Sequence, residues 1–131
     1  MQRRSGFTLI ELVIAMIILL ILALIAFNVY TQYISKAKIT VAESTLTHVR
    51  DNLNLFSLDN GKYPESINFT DCVDENSRAV FSQAFCDQLK EDLYSIEKYS
   101  YIPEDNKYSL TARAKDSKHT LITVTPDKIT K

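Results

Sequence analysis

The sequence predicts an α+β fold: one long N-terminal helix packed on a three- to four-stranded antiparallel sheet. Three observations predict it. Residues 7–27 form an apolar run with a single acid, Glu11, and no basic residue, Gly or Pro. Apolar residues then recur at helical spacing as far as Phe56. The last third of the chain alternates with a period of two, the signature of half-buried strands.

The apolar run comes first. Phe7 to Phe27 is 21 residues. At about 1.5 Å per residue, a helix of that length reaches roughly 30 Å, one bilayer core. A carboxylate near the start of such a run is expensive and calls for a cation at the same depth; the helix itself supplies none. Arg3 and Arg4 precede the run, which predicts a cytoplasmic leader and an exported C-terminal body. The twin arginine could suggest the Tat route. The long Leu/Ile-rich stretch, with no small-x-small site near its end, argues against that and against an ordinary cleaved signal. A plain signal anchor would explain the hydrophobicity but neither Glu11 nor Gly6-Phe7.

Asn28 to Tyr33 leaves the apolar core, and Tyr30 and Tyr33 stand where an aromatic belt meets the membrane interface. The helix then continues as an amphipathic segment over 34–58. Ile39, Ala42, Leu46, Val49, Leu53 and Phe56 follow at steps of three and four, an apolar stripe on one face. The string Leu58-Asp59-Asn60-Gly61-Lys62-Tyr63-Pro64 ends it, because Gly61 can take the left-handed conformation and Pro64 forbids resumption.

Residues 59–95 read as a loop and a short helix. The helix is expected from Asn76 or Ser77, with Ser77 as its cap and Val80, Ala84, Leu89 and Leu93 on one face. Cys72 in the loop and Cys86 on the helix are the only cysteines. Both lie in the part expected in an oxidising compartment, which favours a disulfide closing a short loop. No CxxC, Cys/His cluster or nucleophile–base spacing supports the competing metal pair or catalytic thiol.

Residues 96–125 make the sheet. Ile96–Ile102 is strand-like and 103–106 turns. Lys107–Ala114 alternates, with Tyr108, Leu110, Ala112 and Ala114 on one face. His119–Thr125 is a third strand, interrupted by Pro126. A meander with one apolar face needs a cover, and the amphipathic half of the long helix supplies it.

Gly6-Phe7-Thr8-Leu9-Ile10-Glu11 resembles the processing site of class III signal peptides in type IV pilins and type II secretion pseudopilins. The string Asp59, Gly61, Tyr63 and Pro64 resembles the Asp-x-Gly-x-Tyr-Pro signature that follows the long helix in pseudopilins. The resemblance implies the pilin fold. It also implies that a prepilin peptidase removes residues 1–6 between Gly6 and Phe7, that Phe7 becomes N-methylated, and that Glu11 pairs with the N-terminal amine of a neighbouring subunit. Residues 7–33 would then be the transmembrane and filament-core helix, and 34–131 the periplasmic head. Many members carry a proline at the position of Asn28 and often a glycine at that of Leu20; this chain has neither, so a kink there has less support.

The function implied is structural: a homo-oligomeric filament subunit of the inner membrane, extracted by a separate platform protein and ATPase. The major pseudopilin of type II secretion is the leading expectation. A surface pilus subunit for adhesion, twitching or DNA uptake is the alternative, and a membrane-anchored periplasmic binding domain that never polymerises is a third reading from a different class.

Other chemistry finds little support. Losing Arg3 and Arg4 takes the net charge from −1 to −3, which argues against a nucleic-acid surface. No triad, paired-carboxylate site or metal motif occurs, so no enzyme activity is expected. His48 and His119 are far apart and read as surface residues. No cofactor is expected. Asp71, Asp74 and Glu75 form an acidic cluster that could hold Ca²⁺, and major pseudopilins have a calcium site. That site belongs to a later loop whose pattern does not map here, and the cluster lacks EF-hand spacing, so a solvated acidic loop is the expectation.

Overall fold

The computed structural model describes residues 6–131; Met1–Ser5, including Arg3 and Arg4, lie outside it. The first element is a single helix, α1, Leu9–Asn60. Leu, Ile, Ala and Met dominate its first half, and these residues lose little side-chain freedom in a helix. It runs without a break through Leu20 and Asn28. The chain divides into two compact units, one ending at Ile34 and one comprising Ser35–Lys131.

In the first unit every side chain from Gly6 to Tyr33 is exposed. By length and composition α1 is apolar enough there to cross a membrane. A helix apolar all round cannot bury itself within its own turns, so its cover must come from lipid or other chains.

The second unit has a core. Ala42, Leu46, Val49, Leu53 and Phe56 are buried along one face of α1, with Ile39 packed beside them. Thr45, buried on the same face, is an addition to the expected stripe. Opposite them stands a four-stranded antiparallel sheet in the order β3 (Leu93–Ile102), β4 (Lys107–Ala114), β5 (Leu121–Val124) and β6 (Ile129–Thr130). Tyr108, Leu110, Ala112 and Ala114 of β4 are all buried, as the alternation predicts, together with Ile122 and Val124 of β5. Emptying such a site, as in Leu→Ala, costs about 2–5 kcal/mol.

Some boundaries differ from expectation. The sheet begins at Leu93, three residues early, and two register shifts, between Leu93 and Ser95 and between Ile96 and Lys98, interrupt its edge strand β3. It continues past Pro126 because Thr125 and Lys128 close a turn that returns β6 onto β5. His119 does not open a strand. It sits in the β4–β5 turn at φ 48°, its N–H donating to the Asp116 carbonyl.

Residues 59–95 depart most. Ile67–Asn68 (β1) and Val73–Asp74 (β2) pair as a small antiparallel ribbon in what reads as loop. The short helix α2 spans Gln83–Asp92, and its cap is Ser82, whose hydroxyl accepts from the Phe85 N–H. Ser77 cannot be that cap. It stands at φ 60° in a turn closed by its N–H on the Asp74 carbonyl. Val80 and Phe81 both donate backbone N–H groups to the Cys72 carbonyl, and that pairing holds them out of a helix. The buried face of α2 is Cys86 and Leu89, while Ala84 is exposed and Leu93 belongs to β3.

Candidate functional site

Three groups of residues carry the functional reading, and each is built by a different piece of local structure. At the start of the first unit, Gly6 and Phe7 precede α1 and are exposed. Among the described residues, a Cβ added at Gly6 would meet nothing within 4 Å. The fold therefore does not require glycine there, and a requirement for it would have to come from an outside molecule that reads the chain.

Glu11 lies in the first turn of α1. Its N–H points to the Thr8 hydroxyl at 3.3 Å, and its carboxylate accepts from the Thr8 N–H at 3.4 Å. This reciprocal pair is a capping box, two otherwise orphaned donors satisfied at the helix start. The Thr8-x-x-Glu11 spacing is the sequence signature of such a box. The box gives Glu11 a local partner within its own chain, and the positive end of the helix dipole adds to it. Both contacts are long, so the carboxylate keeps acceptor capacity for another donor.

The second group is the turn after α1. Gly61 takes φ 79°, and its N–H donates to the Ser57 carbonyl at 2.8 Å, closing the helix. Tyr63 is buried; its hydroxyl donates to Asn54 Oδ1 at 2.8 Å and its ring meets Tyr108 edge-on at 4.8 Å. Pro64 is fully buried, and its carbonyl accepts from the Tyr99 hydroxyl at 2.6 Å. The turn thus fastens the end of the helix to β3 and β4. Asp59 stands exposed, and nothing among the described residues accounts for its place in the string.

The third group is the loop between helix and sheet. Cys72 and Cys86 are joined in a disulfide, with Cα atoms 6.0 Å apart, that pins the β1–β2 ribbon to α2. Of the acidic cluster, Asp71 and Glu75 are exposed, but Asp74 is buried, contrary to a solvated loop. Its carboxylate accepts from the Arg78 and Asn76 N–H groups and from Arg78 Nε and Nη2. Burial pushes that carboxyl up, yet the Arg78 backbone, the guanidinium and the Asn76 N–H outweigh it and hold it below the usual range. Arg78 also donates to Asn60 Oδ1 at 2.8 Å and lies 5.3 Å from the Phe56 ring centroid, so the cluster serves the end of α1. Among the described residues, no group of three His, Cys, Asp or Glu is placed to hold a metal ion. His48 is exposed, while His119 is half-buried and stacks on Tyr94 at 3.9 Å.

Residues 1–27 match the family described as the prokaryotic N-terminal methylation motif. Residues 29–127 match the family described as type II secretion system (T2SS), protein G. The chain belongs to the type II secretion protein G family. One curated relative, the type II secretion system core protein G of Pseudomonas aeruginosa, is 40% identical over 68 residues, covering 50% of this chain and 48% of the relative. The chain spans about half the length of that relative. No solved structure matches the chain.

The two family matches meet near Asn28, within α1, so one helix carries both. The protein G match takes in the turn, the disulfide and strands β3 to β5, and the methylation match takes in Gly6, Phe7 and Glu11. Residues that sequence reasoning passed over are Thr8, Thr45, Arg78 and Tyr99. Thr8 alone had a local signal. Thr45 donates to Asp92 Oδ2 at 2.7 Å, a contact 47 positions distant that no short-range pattern announces.

Proposed function

We propose that the chain is a structural, non-enzymatic subunit of the type II secretion pseudopilus, held in the inner membrane by the first half of α1 with its second unit in the periplasm. The observation that carries this reading is the protein G match over residues 29–127, following directly on a methylation-motif match over residues 1–27. A prepilin peptidase would cut between Gly6 and Phe7 and methylate the new Phe7 amine. An ATPase and a platform protein would then move subunits from lipid into a homo-oligomeric helical filament.

Physical chemistry supports the two stages. The exposed apolar surface of α1 is stable in lipid or against neighbouring helices but not in water. At about 25 cal/mol per Å² the penalty for exposure is large. Cleavage creates a cation four positions before Glu11. In a neighbouring subunit that amine supplies the charge Glu11 lacks, and its distance along the helix sets the register. Before assembly, the capping box with Thr8 gives the same carboxylate a resting partner.

The test is deletion of the gene, scored by the fate of secreted enzymes. Their accumulation in the periplasm, restored by the wild-type gene, is the expected result. Unchanged secretion together with loss of long surface fibres would instead mean a type IV pilus subunit. Loss of neither, with a second unit that folds and binds a ligand alone, would mean a non-polymerising anchored domain.

A further inference from the structure

The second unit has two ends, and their charges differ. One end holds Ser35, where the chain enters from the apolar run. Thr45, ten residues and about 15 Å along α1 from Ser35, hydrogen-bonds to Asp92, so the start of β3 at Leu93 lies in the Ser35 half of the unit, and so does its register partner Ala114. The β4–β5 turn, residues 115–120, follows Ala114 and is held back onto the same place by the Tyr94–His119 stack. Lys131 reaches Glu43 on α1 at 3.0 Å. The opposite end is marked by the Tyr63–Tyr108 contact, the Tyr99 bond to Pro64 and the β3–β4 turn. An eight-residue strand such as β4 separates the two by about 25 Å.

Exposed lysines gather at the Ser35 end: Lys36, Lys38, Lys115, Lys118 and Lys131. Four acids, Glu43, Glu91, Asp92 and Asp116, stand there as well. Glu43 pairs with Lys131, and Asp92 accepts from Thr45 and Gln88, leaving Glu91 exposed. Asp116, the one acid of the β4–β5 turn, is only 1% exposed and points inward, where both Thr120 donors, N–H and hydroxyl, bind it. That inward carboxylate fixes the turn and leaves its outer side to Lys115, Ser117 and Lys118. At the far end Lys62 pairs with Glu65 and Lys107 with Asp127, and Asp59, Glu75, Glu104 and Asp105 are also exposed.

We infer that the Ser35 end of the second unit is a docking face for an anionic phospholipid surface, engaged through Lys36, Lys38, Lys115 and Lys118. The inference rests on the membrane-anchored reading above, in which Ser35 follows the end of the apolar run at Phe27 by eight residues, about 12 Å of helix. Basic side chains so close to an anionic surface are attracted within about one Debye length, roughly 8 Å at physiological ionic strength. The acidic far end is repelled by the same field. Docking on lipid would hold an unassembled subunit with its far end outward, and extraction into a filament would release it.

The experiment uses the full processed protein in nanodiscs of pure phosphatidylcholine or of phosphatidylcholine with phosphatidylglycerol. Cys72 and Cys86 are bonded to each other, so a cysteine at Ser117→Cys or, as far-end control, Glu104→Cys takes a single fluorescent donor. Energy transfer to a headgroup-labelled acceptor lipid reports proximity. The expected result is higher transfer from position 117 with phosphatidylglycerol, lost in 0.5 M salt, with no such gain from position 104. In the Lys115→Gln/Lys118→Gln double variant the ratio of docked to free subunits should fall about fivefold for each lysine removed. Equal transfer from position 117 in both lipids overturns the inference. So does proximity that depends on protein density and not on lipid charge, which would make the acidic far end of a second copy the partner. Failure to enter nanodiscs of either lipid would instead overturn the anchored reading.

Discussion

Tyr99 of β3 donates its hydroxyl to the buried carbonyl of Pro64, 2.6 Å away, and so ties the edge of the sheet to the turn that ends α1. The two residues are 35 positions apart. The bond closes a chain of contacts that runs from Asn54 through Tyr63 to Tyr108 and back through Tyr99 to the turn. The turn signature is therefore an anchor for the long helix on its sheet as well as a stop signal.

Tyr99→Phe removes the hydroxyl and leaves the Pro64 carbonyl buried without its donor. A loss of about 1–3 kcal/mol is expected, read as a lower midpoint in denaturant unfolding of the full chain in detergent. An unchanged midpoint would mean that another donor reaches Pro64.

Glu11→Gln and Thr8→Val separate two roles of one carboxylate. Gln keeps an acceptor for the Thr8 N–H and so preserves the cap, while removing the charge. Amide exchange at Leu9–Glu11 should be near wild type in Glu11→Gln and faster in Thr8→Val, which loses about 1 kcal/mol of capping. Filament assembly should fail in Glu11→Gln despite its intact helix start. Assembly at wild-type level in that variant would remove the charge-pairing role.

Serine at both Cys72 and Cys86 should cost about 3 kcal/mol in the chain-entropy account, for a loop closed over 14 positions. The loss is expected at the β1–β2 ribbon and α2 first, seen as protease cleavage between residues 65 and 92. The stripe of α1 against β4 does not depend on the bridge and should stay protected.

Stability should fall at both extremes of pH. The Asp74 and Asp116 carboxyls are held below their ordinary range by their hydrogen-bond donors, against the opposing effect of burial. A depressed carboxyl contributes stability that is complete above its unfolded pKa, about 4, and is lost as pH falls through the folded value. Burial raises the Tyr99 and Tyr108 hydroxyls, so their contribution is complete below about 10 and is lost above it. Melting temperature across pH should be flat near neutrality and drop on both sides, with the acid drop smaller in Asp74→Asn.

Where one local period dominates, the sequence announced the structure. The 3.6-residue stripe from Ile39 to Phe56 and the alternation of Lys107–Ala114 are both long, and each faces a single core. Gly61 and Pro64 ended α1 for reasons internal to their own backbone. Between residues 65 and 92 the outcome is set by partners distant in sequence. Ser77 offers the same local signal as Ser82, but the Cys72 carbonyl and Asp74 take up the residues around it. At the start of α1, the Thr8-x-x-Glu11 spacing is a local signal of the legible kind, because both partners of the box lie within one turn.

If Gly6-Phe7 is cut to give the subunit its new amine, the mass of the protein's N-terminus shows it. Protein should be purified from membranes of a strain with prepilin peptidase and of one without it. An N-methyl-Phe7 start is expected in the first and an uncut chain in the second. Gly6→Val should remain uncut in both, with the fold unchanged, because a side chain at that position meets nothing among the described residues. A chain retaining Met1 to Gly6 in the working strain, with secretion intact, would contradict the account.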